Sequence, residues 1–136
     1  MNAKNHSAGH LIDVAMKNIG LAYLKPTKGF HFPEGSYVEY EGTFSESPEV
    51  SVEKLNSELV KLIEANKKVV VTYHNFQGIV APIGKTPRYV QFEGESWCGC
   101  WGTHVTSTWE IGSIRVRKMK YKAGCLRVSY EIWSAE

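Results

Sequence analysis

The sequence has few of the features that mark a secreted or membrane-bound protein. It contains only three cysteines, and two of them, Cys98 and Cys100, are separated by a single residue, which is a poor arrangement for a disulfide framework. No apolar run reaches the roughly 18 residues that a membrane span needs, and no basic N-terminal start is followed by an apolar stretch. These absences predict a soluble, cytoplasmic protein that has no membrane partner.

The chain also has no strong excess of charge of either sign. Its 16 Lys and Arg and 14 Asp and Glu leave a formal charge of +2, so the total alone indicates no polyanionic partner. Apolar residues make up 43% and charged residues 22% of the 136 positions, which is close to the average for globular proteins. We therefore expect one folded domain over residues 1–136, with its own core and no stable protein partner.

Hydrophobic periodicity predicts two helices. Apolar residues recur at helical spacing from about Asn5 to Asn18, with Asp13 and Lys17 turned outward. The second helix has the stronger pattern, because one face is apolar and the other is charged over more than three turns. Pro48 precedes it, and Ser51 is its predicted N-cap.

The remaining segments read as short strands and turns. The segment Lys25–Gly29 has the Pro and Gly of a turn, whereas alternation and β-branched residues predict strands at 30–32, 37–41, 69–73, 88–92, 111–122 and 125–133. The last two form a hairpin that turns at Ala123-Gly124. Because helices and strands do not alternate regularly, the predicted fold class is α+β, a mainly antiparallel sheet with two helices packed on one face.

Two pairs of metal-binding residue types stand out. His6 and His10 lie four residues apart, so a helix places them on one face and one turn apart. Cys100 and His104 repeat this spacing with a thiol and an imidazole. Each pair alone is weak evidence, but nitrogen and sulfur ligands in this number suit zinc. We therefore predict a zinc site, with Cys98 as an alternative to Cys100.

The residues around these pairs resemble a known family. The segment 6–12 (His-Ser-Ala-Gly-His-Leu-Ile) is similar to the H-[ST]-A-x-H-L-[LI] helix of the editing domain in alanyl-tRNA synthetases and free-standing AlaX-type proteins. The segment 100–114 is similar to the C-x-G-T-H-V-x-x-T-x-E-I-G-x-I motif of the same domain. Residues 28–32 and 37–40 fall where the family has a Lys-Gly turn and the strands that follow it. The matches run in order from His6 to about Tyr130.

The resemblance implies a zinc-dependent hydrolase of translation fidelity that binds the acceptor end of mischarged alanine tRNA. Such an enzyme cleaves the ester of wrongly attached serine or glycine. Thr27 falls at a position of the family's amino-acid pocket, and Trp101 replaces a family glycine beside Gly102, where its indole would form a pocket wall. The chain resembles the smallest free-standing forms, which lack an N-terminal barrel domain. The zinc ligands implied by the resemblance are His6, His10, Cys100 and His104.

Several groups besides zinc are candidates for the ester chemistry. An aminoacyl ester is already activated, so the enzyme mainly orients water and stabilises the oxyanion. Four protein ligands close a tetrahedral site, so either one ligand is displaced or the metal positions the substrate's amino end. We favour positioning, with Thr27, Thr103 and the backbone N–H groups near Gly102 serving the ester. His31 is a candidate base that acts through water, although an isolated strand His is more often a packing residue.

Cations on one late strand and on the loop before the Cys/His cluster predict contacts with RNA. One at a time they are typical of a solvated strand edge, but as a set they could neutralise acceptor-stem phosphates. Arg115 and Arg117 alternate with apolar residues, so we expect them to share a face. The predicted RNA-binding residues are Lys85, Arg88, Arg115, Arg117, Lys118 and Lys120.

Two other functions are compatible with the sequence. In one, the four ligands are purely structural and the chain is a non-catalytic, zinc-stabilised RNA-binding module. In the other, the chain is an unrelated metallohydrolase of small esters or amides, with Trp101 as a wall of the substrate pocket.

Overall fold

A computed structural model of the chain describes residues 3–31, 35–72, 89–94, 98–99, 105 and 107–133. Its helices are α1 (Ala3–Asn18) and α2 (Pro48–Glu64), and a short 3-10 helix covers Thr108–Ile111. The strands are β1 (Lys25–Phe30), β2 (Tyr37–Glu41), β3 (Val69–Thr72), β4 (Tyr89–Phe92), β5 (Cys98–Gly99), β6 (Ser113–Lys122) and β7 (Cys125–Trp133). None of the helices in these ranges is both long and apolar enough to cross a membrane.

The predicted α+β class is confirmed. One antiparallel sheet has the strand order β1-β2-β7-β6, and a second has the order β3-β4-β5. The apolar sides of α1 and α2 pack against one face of the larger sheet, where Leu11, Ile12, Leu55, Leu59 and Leu126 are all fully buried. The burial of each such side chain stabilises the folded state by roughly 1.5–3 kcal/mol, because its apolar surface is removed from water. We call this helix-covered face the inner face and the opposite one the outer face.

The segment Lys25–Gly29 is not the predicted turn, because it forms most of β1. This strand pairs antiparallel with β2, and a register shift between Pro26 and Lys28 leaves Thr27 as a bulge residue. Pro26 is tolerated because β1 is the edge strand of its sheet, where a missing N–H breaks no ladder bond. The predicted strand at residues 30–32 therefore begins five residues early, and Phe32 lies outside the described residues.

The second helix begins one turn before the predicted cap. Ser47 is the N-cap, and its Oγ accepts a hydrogen bond from the backbone N–H of Val50 at 3.4 Å. Pro48 occupies the first turn, where an absent N–H costs nothing. Ser51, the predicted cap, is buried within the helix, so that prediction was wrong by four residues.

The predicted C-terminal hairpin is confirmed. β6 and β7 are joined at Ala123 and Gly124, which have positive φ angles of 52° and 77°, as tight hairpin turns require. A register shift between Val116 and Lys118 inserts Arg117 into β6. This bulge interrupts the alternation from which the sequence predicted one face for Arg115 and Arg117.

A side chain of α2 holds the edge strand β6 at its bulge. The Asn56 amide nitrogen donates to the Val116 carbonyl at 3.1 Å, and its oxygen accepts from the Val116 N–H at 2.7 Å. These two bonds satisfy backbone groups that point away from β7. They also fix where α2 sits along the inner face.

Candidate metal and substrate site

Helix α1 brings the two N-terminal imidazoles together, as their spacing predicts. The Nε2 atoms of His6 and His10 lie 3.2 Å apart, and the ring centroids are 4.8 Å apart. His6 is buried and His10 is half-buried. Two nitrogens that each lie 2.0–2.1 Å from a tetrahedral zinc ion are about 3.4 Å from one another. The pair therefore has the spacing of two ligands on one metal ion.

Burial favours the neutral form of His10 and His31. Burial first, and then the charges that His6 and His31 carry when protonated, together lower the pKa of His10 to about 4. Burial, followed by the charge on His6, also lowers the pKa of His31. Neutral imidazole is the form that binds a metal. At neutral pH, His10 is thus ready to bind a cation without first losing a proton.

The ring of His31 fills a slot between α1 and β1. Its centroid lies 5.6 Å from that of His6, and its Nδ1 is 2.9 Å from the hydroxyl oxygen of Tyr130. A Cβ built on Gly9 would overlap this ring, and one built on Gly29 would lie 2.5 Å from its Nε2. Glycine at both positions is what leaves room for the imidazole. The sequence assigned no role in the site to Gly9, Gly29 or Tyr130.

A cavity of about 170 Å³ opens beside this slot. It is lined in part by His10, Thr27 and His31, so the structure gathers three of the predicted site residues around one space. The Thr27 hydroxyl donates to the backbone carbonyl of Glu39 at 3.2 Å. Its hydrogen is thus committed, and its oxygen remains an acceptor for a ligand. A larger cavity of about 310 Å³, lined by Trp109 and Trp133, contains none of the predicted site residues.

Asp13 belongs to this cavity, although the sequence predicted that it faces solvent. Burial raises the pKa of its carboxyl to about 6, and the hydrogen bond that it accepts from the Tyr40 hydroxyl opposes this rise. Asp13 follows His10 by three residues, so the two share a side of α1 with His6. This helical spacing indicates that Asp13 lies near the imidazole pair, but its burial depends on the packing of α1 against β2.

The second predicted ligand pair, Cys100 and His104, lies outside the described residues. So do Trp101, Gly102, Thr103, Lys85 and Arg88. Within the described part, no group of three or more His, Cys, Asp or Glu is arranged to hold a metal ion. The backbone of Cys98, the alternative thiol, lies in β5 and pairs with Val90 of β4.

One described contact joins the two predicted ligand segments. The backbone N–H of Val105 donates to the Ser7 hydroxyl at 3.0 Å. In the sequence Val105 directly follows His104, and Ser7 directly follows His6. Val105 therefore lies against α1 at the turn that carries the first imidazole.

The described cations of the predicted RNA site all lie on β6 and are exposed. Arg115 stands opposite Glu131 of β7, Lys118 opposite Ser129, and Lys120 opposite Arg127, while Arg117 is the bulge residue. Residues 127, 129 and 131 alternate regularly along β7, so the side chains of Arg115, Lys118 and Lys120 share the outer face.

Known proteins provide a separate line of evidence. The chain is 30% identical over 139 residues to an alanine–tRNA ligase from Methanococcus vannielii. It is 25% identical over 140 residues to that of Nitrosopumilus maritimus, and 26% over 145 residues to that of Methanoregula boonei. These alignments cover 93–97% of this chain but only 16% of each ligase, and no family model matches. Nearly the whole chain is thus homologous to about one sixth of an alanine–tRNA ligase.

Proposed function

We propose that this protein is a trans-acting, zinc-dependent hydrolase that removes serine or glycine from mischarged alanine tRNA. The observation that carries the proposal is the hydrogen bond between Ser7 and Val105, which joins the two predicted ligand segments next to the imidazole pair. The homology to alanine–tRNA ligases makes a tRNA the substrate that fits best.

The donor set fits zinc. His6 and His10 have the separation of two zinc ligands, and the lowered pKa of His10 keeps that ring neutral. Ser7 and Val105, which are hydrogen-bonded to each other, each directly follow a predicted ligand in the sequence. In this proposal, Cys100 and His104 complete the site. A bound zinc ion would supply positive charge to the amino end or the carbonyl oxygen of the ester.

His31 is the base in this proposal. When its Nδ1–H donates to the Tyr130 oxygen, Nε2 carries the lone pair. The lowered pKa leaves that nitrogen unprotonated at neutral pH, so it can accept a proton from the water that attacks the ester. The slot formed by Gly9 and Gly29 holds the ring in place for this step.

Thr27 and Asp13 bind the amino acid in the cavity. The Thr27 oxygen accepts a hydrogen bond from the substrate's hydroxyl or ammonium group, because its own hydrogen is committed to Glu39. Asp13, with a pKa of about 6, is largely ionised at neutral pH and attracts the α-ammonium group. Both contacts hold the ester next to His31.

A deacylation assay tests the proposal. Alanine tRNA charged with serine, glycine or alanine is incubated with wild type, His10→Ala, His31→Ala and, as a control on the exposed side of α1, Lys17→Ala. We expect wild type and the control to release serine or glycine much faster than alanine. His10→Ala should lose bound zinc and activity together, whereas His31→Ala should keep zinc and lose activity.

Two results would contradict the proposal. If no mischarged tRNA is deacylated faster than in buffer, the protein is not an editing hydrolase. If zinc is bound and its chelation unfolds the chain without any hydrolysis having been present, the closed four-ligand site is structural. The chain would then be a zinc-stabilised RNA-binding module.

A further inference from the structure

The outer face of the larger sheet carries ordered rows of side chains. Register across all four strands defines one row of Lys28, Glu39, Arg127 and Lys120. The next row consists of Phe30, Tyr37, Ser129 and Lys118. Because residues directly opposite each other in a sheet project to the same side, each row is one continuous line of side chains from β1 to β6.

This face is far more positive than the molecule as a whole. It has three carboxylates. The charge of Glu41 is balanced by Lys25, which stands opposite it, and Glu39 and Glu131 are the other two. Its other cations, all exposed, are Lys28, Arg115, Lys118, Lys120, Lys122 and Arg127. The excess of four positive charges exceeds the net +2 of the entire chain. A polyanion is therefore the partner that the charge of this face fits.

The carboxylate in the middle of the face is already neutralised. Glu39 accepts a hydrogen bond from Arg127 Nε at 2.7 Å and lies 3.5 Å from Lys28 Nζ. Its hydrogen bond with Arg127 is the main cause that lowers its pKa. Because only 9% of its side chain is exposed, Glu39 presents little negative charge to a ligand.

A stack of planar groups lies beside the cations. Phe30 and Tyr37 are stacked with centroids 5.8 Å apart and an angle of 15° between the rings. The guanidinium carbon of Arg127 lies 4.1 Å from the centre of the Tyr37 ring, and the Arg127 side chain is 46% exposed. Unpaired bases stack on aromatic rings and on guanidinium planes of this kind. One strand, β7, separates Tyr37 from Lys118 across the small side chain of Ser129.

We propose that the outer face binds the single-stranded 3′ end of an RNA, with phosphates on the β6 cations and an unpaired base on the Arg127–Tyr37–Phe30 stack. This inference rests on the tRNA substrate of the proposed function and names the surface that holds it. The stack lies at the end of the sheet that is nearest the site, because His31 directly follows Phe30. Alternation turns the Phe30 ring to the outer face and the His31 ring to the inner side. The terminal nucleotide then reaches the cavity around the edge strand β1.

The first arm of the test measures phosphate contacts. Fluorescence anisotropy follows the binding of a short, unacylated single-stranded RNA to the full chain at several salt concentrations. For single strands, the slope of log affinity against log salt is about −0.7 per phosphate contact. The double variant Lys118→Gln/Lys120→Gln should reduce this slope by about 1.4. Lys54→Gln/Lys61→Gln, on the exposed side of α2, removes the same charge and should leave the slope unchanged.

The second arm measures stacking. Tyr37→Leu should weaken the binding of single-stranded RNA by roughly 5- to 150-fold, which corresponds to the loss of one base–aromatic stack. It should leave both the salt slope and the affinity for duplex RNA unchanged. Arg127→Lys keeps the positive charge but removes the planar guanidinium group, so it should weaken single-strand binding in the same way. Tyr23→Leu removes a 55% exposed tyrosine that lies outside the strands of the sheet and should change nothing.

Three outcomes would overturn the inference. In the first, Tyr37→Leu and Arg127→Lys leave the affinity for single-stranded RNA unchanged. In the second, they weaken the binding of duplex RNA as much as that of single-stranded RNA. The Lys54/Lys61 variant could reduce the slope as much as the Lys118/Lys120 variant, which would show only non-specific attraction. Because these assays need neither an ester nor zinc, RNA binding on this face without deacylation supports the inference while the proposed hydrolysis fails. If the protein deacylates mischarged tRNA but these variants do not change RNA binding, the proposed hydrolysis is supported and the inference about the outer face is wrong.

Discussion

His10 and Asp13, one turn apart on α1, give the protein opposite responses to acid. The pKa of His10 falls from 6.5 to about 4 on folding, so between these values the unfolded chain binds the extra proton and acid destabilises the fold. The pKa of Asp13 rises from 3.8 to about 6, so there the folded chain binds the extra proton and acid stabilises it. In the wild type the two effects oppose each other.

The two effects are also similar in size. Each pKa unit corresponds to about 1.4 kcal/mol. When the pH falls from 7 to 4.5, the titration of His10 lowers the free energy of unfolding of the metal-free protein by about 2 kcal/mol. The titration of Asp13 raises it by about 2 kcal/mol. Folded domains are stable by only about 5–15 kcal/mol, so the loss of either partner is measurable.

Urea unfolding at pH 7 and pH 4.5, followed by tryptophan fluorescence in the presence of a chelator, measures this balance. Asp13→Asn keeps an acceptor for Tyr40 but cannot bind the proton, so it should lose about 2 kcal/mol more than wild type on acidification. His10→Gln should lose about 2 kcal/mol less. Glu53→Gln, an exposed carboxylate on α2, serves as the control and should follow wild type.

Comparison with wild type at each pH removes the contribution of other groups. The lowered pKa values of His31 and Glu39 destabilise wild type and variants alike as the pH falls. If Asp13→Asn and wild type lose the same free energy between the two pH values, Asp13 does not titrate as its burial requires. If His10→Gln and wild type lose the same, the desolvation argument for the imidazole is wrong.

Three further perturbations test other parts of the structure. Gly9→Ala should push the His31 ring out of its slot, abolish deacylation and destabilise the fold by about 1–3 kcal/mol in urea. The same change should be tolerated once His31 is Ala, and Gly35→Ala, where a Cβ meets open space, should be neutral. Asn56→Ala should cost about 1–3 kcal/mol, measured by urea unfolding, because it leaves the edge groups of Val116 unpaired. Chelation should lower the thermal midpoint of the zinc-loaded protein, and added zinc should restore it.

The elements that the sequence predicted well are those with a long and regular pattern. α1, α2 and the β6–β7 hairpin each repeat their apolar period several times, so local residues determine them. β1 was missed because Pro26 and Gly29 resemble a turn within any short window. Only the position of β1 at the sheet edge, which depends on pairing with β2 and β7, makes that composition acceptable in a strand.

The candidate site also combines features that local sequence determines with features that depend on contacts between distant residues. The His6–His10 pair is a local feature, and its four-residue spacing was enough to place both rings together. Tyr130, which holds His31, is 99 residues away from it in the chain, so no local pattern connects the two. Asp13 lies at the border of the apolar side of α1. Whether it faces solvent or Tyr40 is decided by the packing of α1 against β2.

Successive side chains of the edge strand β1 point to opposite faces of the sheet, and each face belongs to one of the two proposals. The side of β1 that carries Gly29 and leads to His31 faces the imidazoles and the cavity, which suits ester hydrolysis. The side that carries Lys28 and Phe30 belongs to the cationic outer face, which suits phosphates and bases. Changes on the outer face should therefore raise KM for a mischarged tRNA and leave kcat nearly intact, whereas changes in the His31 slot should lower kcat. Steady-state kinetics of Tyr37→Leu and Gly9→Ala separate the two, and a loss of kcat with unchanged KM in Tyr37→Leu would show that the strand does not divide binding from chemistry.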